Sequence, residues 1–213
     1  MHRTALLSAA LLAATLGALP AADPPARDAF FDGQSLDTFD GLKQYWKVVD
    51  GAIVGSTEPG GLTFNTFLCS KRKYRDFELK FQVRLKDGRG NSGVQVRSEV
   101  FDRKHLAVKG PQCDIGEGYW GSLYGEHFGG MMKAAPASVQ KKVKKDDFND
   151  YDIKCVGKHV TITLNGAKTV DDDFPTIAHE GIVAFQLHAG GPMEVRFKDL
   201  RLEVLPPDAR VGR

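Results

Sequence analysis

From Phe77 to Leu85 the chain reads FELKFQVRL. Successive side chains of an extended strand alternate faces, so Phe77, Leu79, Phe81 and Val83 share one side and Glu78, Lys80, Gln82 and Arg84 the other. Short runs of this kind recur at Gly93–Val100 (GVQVRSEV), Tyr151–Val156 (YDIKCV), Val160–Leu164 (VTITL), Ile182–His188 and Met193–Val204. Turn residues separate them. WKVVDGAIV, residues 46 to 54, predicts a hairpin around Asp50-Gly51, and Asn165-Gly166 closes VTITL with a tight turn. Nothing of helical period exceeds about ten residues, and no capping box precedes a long apolar stripe. The pattern predicts an all-β fold, an antiparallel jelly-roll sandwich of two sheets. Outer faces of such sheets meet water, and a concave one can carry a site that loops at its rim complete.

The first residues follow another pattern. MHRTALLSAALLAATLGALPAADPP has one early Arg, an apolar stretch from residue 5 to 19 and then Ala and Pro. This is the form of a secretory signal peptide, and the stretch is shorter than the roughly 20 residues of a membrane span. The expected organisation is a leader over residues 1 to 22, a linker over 23 to 29, one domain over 30 to 205 and a tail over 206 to 213. Export, with no membrane insertion after cleavage, is the expectation. The formal net charge of +2 gives no footprint for nucleic acid. Cys69, Cys113 and Cys155 are an odd number of thiols, with no CxxC or Cys/His metal spacing. The expectation is that at least one is buried and inert.

Polar residues at strand spacing raise the question of a site. Gln95, Arg97 and Glu99 oppose Val94 and Val96. Gln112 and Asp114 share a face, as do Gln186 and His188. Tyr119, Trp120 and Tyr124 lie in a glycine-rich stretch after Asp114. Aromatic faces beside amides and a carboxylate suit a sugar, whose rings stack and whose hydroxyls need fixed partners. A solvated face and a loop covering the core edge are the competing readings. Lys141 to Asp147, KKVKKDD, reads as a solvated charged loop. No GxSxG, HExxH or P-loop is present. Asp114 and Glu117 do not share a strand face, so two-carboxylate glycoside hydrolysis is not supported.

In order, the segments FFDGQSLDTF, WKVVDGAIVG, RDFELKFQVRL, NSGVQVRS, GPQCDIG, GSLYGE, FNDYDIKCVGKHVTITLNG and GIVAFQLHAGGPMEVRFKDLRLEVL resemble the 3-keto-disaccharide hydrolase domain family, from about Phe30 to Leu205. The resemblance implies a concanavalin A-like jelly roll, exported by bacteria, acting on glycosides already oxidised to a ketone at sugar C3. It carries over Asn91, Arg97, Gln112, Asp114, Tyr124, Asn149, Gln186 and His188 as site candidates. The family often has Glu-Trp-Asn where this chain has Asp147-Phe148-Asn149, and Cys113 between Gln112 and Asp114 is a local peculiarity. A C3 ketone acidifies the proton at C2, so one base and donors to the enolate replace a carboxylate pair. The expected catalytic set is His188 or Asp114 as base and Tyr124 as acid. Asn91, Gln95, Arg97, Glu99, Gln112, Trp120, Asn149 and Gln186 are expected to bind substrate. A divalent cation on Asp114, Glu99 or His188 is left open. The alternatives to this enzyme are a non-catalytic carbohydrate-binding module of the cell envelope and an envelope interaction domain.

Overall fold

A computed structural model describes residues 30–206. The expected leader and linker, and the tail beyond its first residue, lie outside the described residues. Strands are numbered in chain order. The first sheet runs β1 (Phe39–Asp40), β4 (Thr66–Tyr74), β13 (Gly181–Leu187), β6 (Asn91–Asp102), β7 (Ala107–Gly116), β8 (Leu123–Glu126) and β9 (Gly130–Lys133). The second runs β12 (Ala167–Asp173), β11 (His159–Leu164), β10 (Asn149–Val156), β5 (Phe77–Leu85), β14 (Glu194–Val204), β3 (Ala52–Ser56) and β2 (Trp46–Val49). Neighbours pair antiparallel throughout. One α-helical turn, Ala137–Gln140, interrupts this all-β sandwich. No helix among the described residues is long and apolar enough to cross a membrane.

The alternation that predicts β5 sets the core. Phe77, Leu79, Phe81 and Val83 meet Val183, Phe185 and Leu187 of β13 and Phe197 of β14 between the sheets. The rings of Phe185 and Phe197 approach to 4.7 Å, and Phe81 stacks on Tyr151 at 5.2 Å. Both predicted tight turns form. Asp50 and Gly51 have φ of 49° and 74°, and Asn165 and Gly166 47° and 75°. Two consecutive left-handed residues match the right-handed twist of the flanking strands.

The other side of the first sheet is partly apolar. Phe67, Cys69, Val108, Ile182 and Ala184 form a second buried cluster, with Val100 packed on it. Its members alternate with core residues such as Leu68, Val183 and Phe185, so they lie on the outer face. Thr66 Oγ1 donates to the carbonyl of His105 at 2.7 Å, tying down the tip of the β6–β7 hairpin. Further along this face the side chains turn polar. All three cysteines are buried free thiols, and burial pushes Cys69 and Cys155 up to about 12.

Candidate active site

Cys113 and Ile115 of β7 point into the core, so Gln112 and Asp114 point outward. On β13 the same rule turns Gln186 outward. His188 stands just past the end of that strand. In register, Gln95 of β6 faces Gln112 of β7, and Gly93 faces Asp114. Tyr124 of β8 is the next neighbour of Gln112. These pairings gather a cleft of about 350 Å³ lined by Asn65, Asn91, Gln112, Asp114, Tyr119, Tyr124, Glu126 and His188.

Amides form its floor. Gln112 Nε2 donates to Asp114 Oδ1 at 2.9 Å and to Gln186 Oε1 at 3.2 Å, and Gln95 Nε2 donates to Gln112 Oε1 at 3.0 Å. Gln95 and Gln186 are wholly buried, so they lie beneath the cleft and touch it only through Gln112. Asp114 is 6% exposed. Burial pushes its carboxyl up to about 7, the charge of Glu126 adds to the effect, and the Gln112 bond opposes it.

His188 is fixed by its main chain. Its Nδ1 lies 2.6 Å from the carbonyl oxygen of Ala189. A carbonyl only accepts, so Nδ1 carries the hydrogen, and in the neutral ring Nε2 has the free lone pair. The Ala189 N–H donates to Asn65 Oδ1 at 2.8 Å, and Asn65 Nδ2 donates to Glu126 Oε1 at 2.9 Å. A chain of hydrogen bonds therefore runs from Glu126 to the peptide that orients His188.

The structure corrects six of the expected placements: Gln95 and Gln186, expected to bind substrate, lie buried beneath the cleft, and four others lie elsewhere. Arg97 is not on the floor. A bulge shifts the β6–β7 register between Gln95 and Glu99, and Arg97 adopts φ 48°. Its guanidinium donates to Asp76 Oδ1 at 2.8 Å, to the Arg75 carbonyl at 2.7 Å and to the Gly157 carbonyl. It fastens β6 to the turns that lead into β5 and out of β10. Glu99, beyond the bulge, is exposed and paired with Lys109 at 2.9 Å. Trp120 is buried in the main core near Tyr151, while its neighbour Tyr119 is 49% exposed and lines the cleft. Asn149 is buried and clamps its own loop, bonding Lys144 N and O, the Asp147 carbonyl and Asn165.

Two residues were missed. Glu126 lies two positions beyond Tyr124 on β8, so the alternation LYGE could have found it. Asn65 sits alone before β4, a strand that no alternation announces. Glu126 also revises the carboxylate count, since Asp114 has an acidic companion in the same cleft, supplied by the next strand. Of the residues left open for a cation, Glu99 lies outside the cleft, and Asp114 and His188 line it. Among the described residues no group of three His, Cys, Asp or Glu could hold a metal ion, and no metal ligand is assigned.

The fold is shared with carbohydrate-related proteins. A candidate glycosyl hydrolase from Parabacteroides distasonis superposes with a TM-score of 0.62 at 22% identity, covering 84% of this chain and 98% of that one. A carbohydrate-binding module from Bacillus subtilis gives 0.54 at 16%, covering 77% and 92%. A legume lectin-like domain from Entamoeba histolytica gives 0.53 at 16%, covering 84% and 97%. These likenesses establish the concanavalin A-like jelly roll. No curated protein matches the chain. The family described as the 3-keto-alpha-glucoside-1,2-lyase-like domain matches residues 27–203.

Proposed function

The chain belongs to the 3-keto-alpha-glucoside-1,2-lyase-like domain family, and from that premise we propose that it is an exported enzyme cleaving the glycosidic bond of 3-keto-glycosides. The observation that carries the reading is the pairing, in one cleft, of His188 with Asp114. His188 has its lone pair at Nε2, and Asp114 titrates near neutrality. A base and an acid face the same cleft. The sugar stacks on Tyr119 or Tyr124, and its hydroxyls meet Asn91 and Gln112.

His188 Nε2 takes the proton from C2. The C2–H electrons form the enolate of the C3 ketone. Asp114, in its neutral form, gives its proton to the enolate oxygen and takes it back as the C3 carbonyl re-forms, the use to which a raised carboxyl is suited. The enolate collapses to a C1–C2 double bond and expels the C1 oxygen, which takes a proton from Tyr124. Water then adds at C1 and gives a proton to the Tyr124 phenolate, and C2 recovers a proton from the His188 imidazolium. The net change is hydrolysis. Stopping before the addition of water gives the lyase outcome.

The test is release of a chromogenic leaving group from a 3-keto-glycoside and from its unoxidised parent. Release from the keto compound alone, abolished in a folded His188→Ala variant, is the expected result. Undiminished turnover in that variant removes His188 as base. The presence of Glu126 beside Asp114 favours a second reading, direct hydrolysis by an acid and a base carboxyl. That reading requires cleavage of the parent, lost in Glu126→Gln and kept in His188→Ala. Cleavage of neither, with reversible sugar binding, would make the chain a binding module.

A further inference from the structure

The glutamines under the cleft contain two misfits. Gln186 Nε2 is buried with no hydrogen-bond partner. Gln95 Oε1 accepts from Ser98 Oγ at 2.6 Å, yet it also stands 3.3 Å from the carbonyl oxygen of Gly110 and 3.2 Å from that of Pro111. A carboxamide turned by half a rotation has the same shape, so its partners decide its setting.

Turning Gln95 aims its NH2 at Ser98 Oγ and at both carbonyls. Its oxygen then meets Gln112 Oε1 at 3.0 Å, so Gln112 must turn as well. The Gln112 nitrogen now donates to Gln95. Its oxygen takes the position 2.9 Å from Asp114 Oδ1 and 3.2 Å from the Gln186 amide. Two oxygens at that first distance need a hydrogen between them, and only Asp114 can supply it. Gln186 turns last, and its stranded nitrogen gains an acceptor in Gln112 Oε1. The second setting requires one proton, on Asp114 Oδ1.

We propose that Gln95, Gln112 and Gln186 form an amide relay with two settings, one matched to Asp114 as carboxylate and the other to Asp114 as neutral acid, which makes Gln95 and Gln186 positioning residues for that carboxyl. Gly93 leaves room for the relay, since a Cβ there would stand 2.4 Å from Gln112 Cδ. The other titratable groups around the carboxyl are Glu126 and Tyr124 on β8, Tyr119 in the loop between β7 and β8 and His188 past β13. Tyr151 reaches only the Asp114 main chain, donating to its carbonyl at 2.7 Å from the core side. β6 presents uncharged Asn91, Gly93 and Gln95. A group that gains and loses a proton in each turnover meets a matched partner in both states. The catalytic use of the relay rests on the proposed function; the coupling itself does not.

The experiment needs no substrate. The Asp114 carboxyl carbon is followed by NMR across pH in the full protein, its signal identified by its absence in Asp114→Asn. The glutamine side-chain NH2 signals are followed alongside. In the wild type, signals of Gln95, Gln112 and Gln186 should all move over the pH range of the carboxyl. Movement of Gln112 alone would overturn the relay. In Gln95→Met the second setting loses its anchor at Ser98, Gly110 and Pro111, so the carboxyl midpoint should fall by about one pH unit, the size of one net hydrogen bond. A midpoint in Gln95→Met that stays or rises sinks the proposal. If that variant does not fold, the wild-type amide signals decide.

Discussion

Gln112 Nε2 lies 3.2 Å from Gln186 Oε1, although β6 runs between their strands in the sheet. The bond crosses an intervening strand because Gly93 has no side chain to occupy the space. β-Strands depend on side chains to pack, so a glycine in their interior marks a close approach. Here the approach is of a carboxamide rather than a backbone.

Gly93→Ala should therefore disturb the site more than the fold. The new methyl would meet the Gln112 carboxamide. We expect about 1–3 kcal/mol of destabilisation, the usual range for an overpacked site. Turnover of a 3-keto-glycoside per folded molecule should drop by at least tenfold. Urea melts and initial rates on the same preparation separate the two effects.

Arg97→Ala should do the reverse. Its guanidinium and the Asp76 carboxylate are both buried, at 0% and 6% exposure. Removing one partner leaves the other charge unpaired, at a cost of about 3–5 kcal/mol. Folded variant protein, recovered at low temperature, should keep its turnover. A loss of activity with stability intact would return Arg97 to the site.

Asp114 gives stability a pH dependence of known sign. Its carboxyl is raised to about 7 in the folded protein, from an ordinary value of 3.8. The folded state therefore holds a proton that the unfolded state releases, and the contribution present below about 4 is lost as pH rises towards 7. Asp114→Asn should remove that loss. Compared with the wild type it should gain about 2–4 kcal/mol between pH 4 and pH 8. Denaturant midpoints of both proteins at the two pH values check it.

Tyr119 and Trp120 are neighbours with opposite roles. Tyr119→Ala should leave the melting point unchanged and weaken sugar binding about tenfold, the value of one stacking contact. Trp120→Ala should cost about 3–5 kcal/mol, as for a large buried aromatic. Calorimetry of unfolding and of sugar binding distinguishes them.

Most of the sandwich was legible wherever faces alternate. β5 and the hairpin of residues 46 to 56 are set directly by period two and by Asp50-Gly51. The same rule places Gln112, Asp114 and Gln186 outward. It fails at Arg97, because one bulge reverses the face of the residues beyond it and leaves no mark in composition. It also fails at β4, where buried residues on both faces give a continuous run instead of alternation. Trp120 misled because a glycine-rich stretch reads as exposed, while Gly116 to Gly121 turns tightly enough to return the indole to the core. Asn65 acts through a loop, and its partners Glu126 and Ala189 are distant in sequence.

The buried thiols give the folded state a built-in reporter, Cys113 and Cys155 between the layers and Cys69 under the outer cluster of the first sheet. Cys69, Cys113 and Cys155 come from β4, β7 and β10, so they sample both sheets. None is reachable while its strand stays in place. A thiol reagent then labels each only when the surrounding strands part, and labelling rates at the three positions time the opening of the sandwich region by region. An intact molecule is chemically silent to the reagent; reaction at Cys113 or Cys155 reports parting of the two layers, and reaction at Cys69 reports loss of the outer cover of the first sheet.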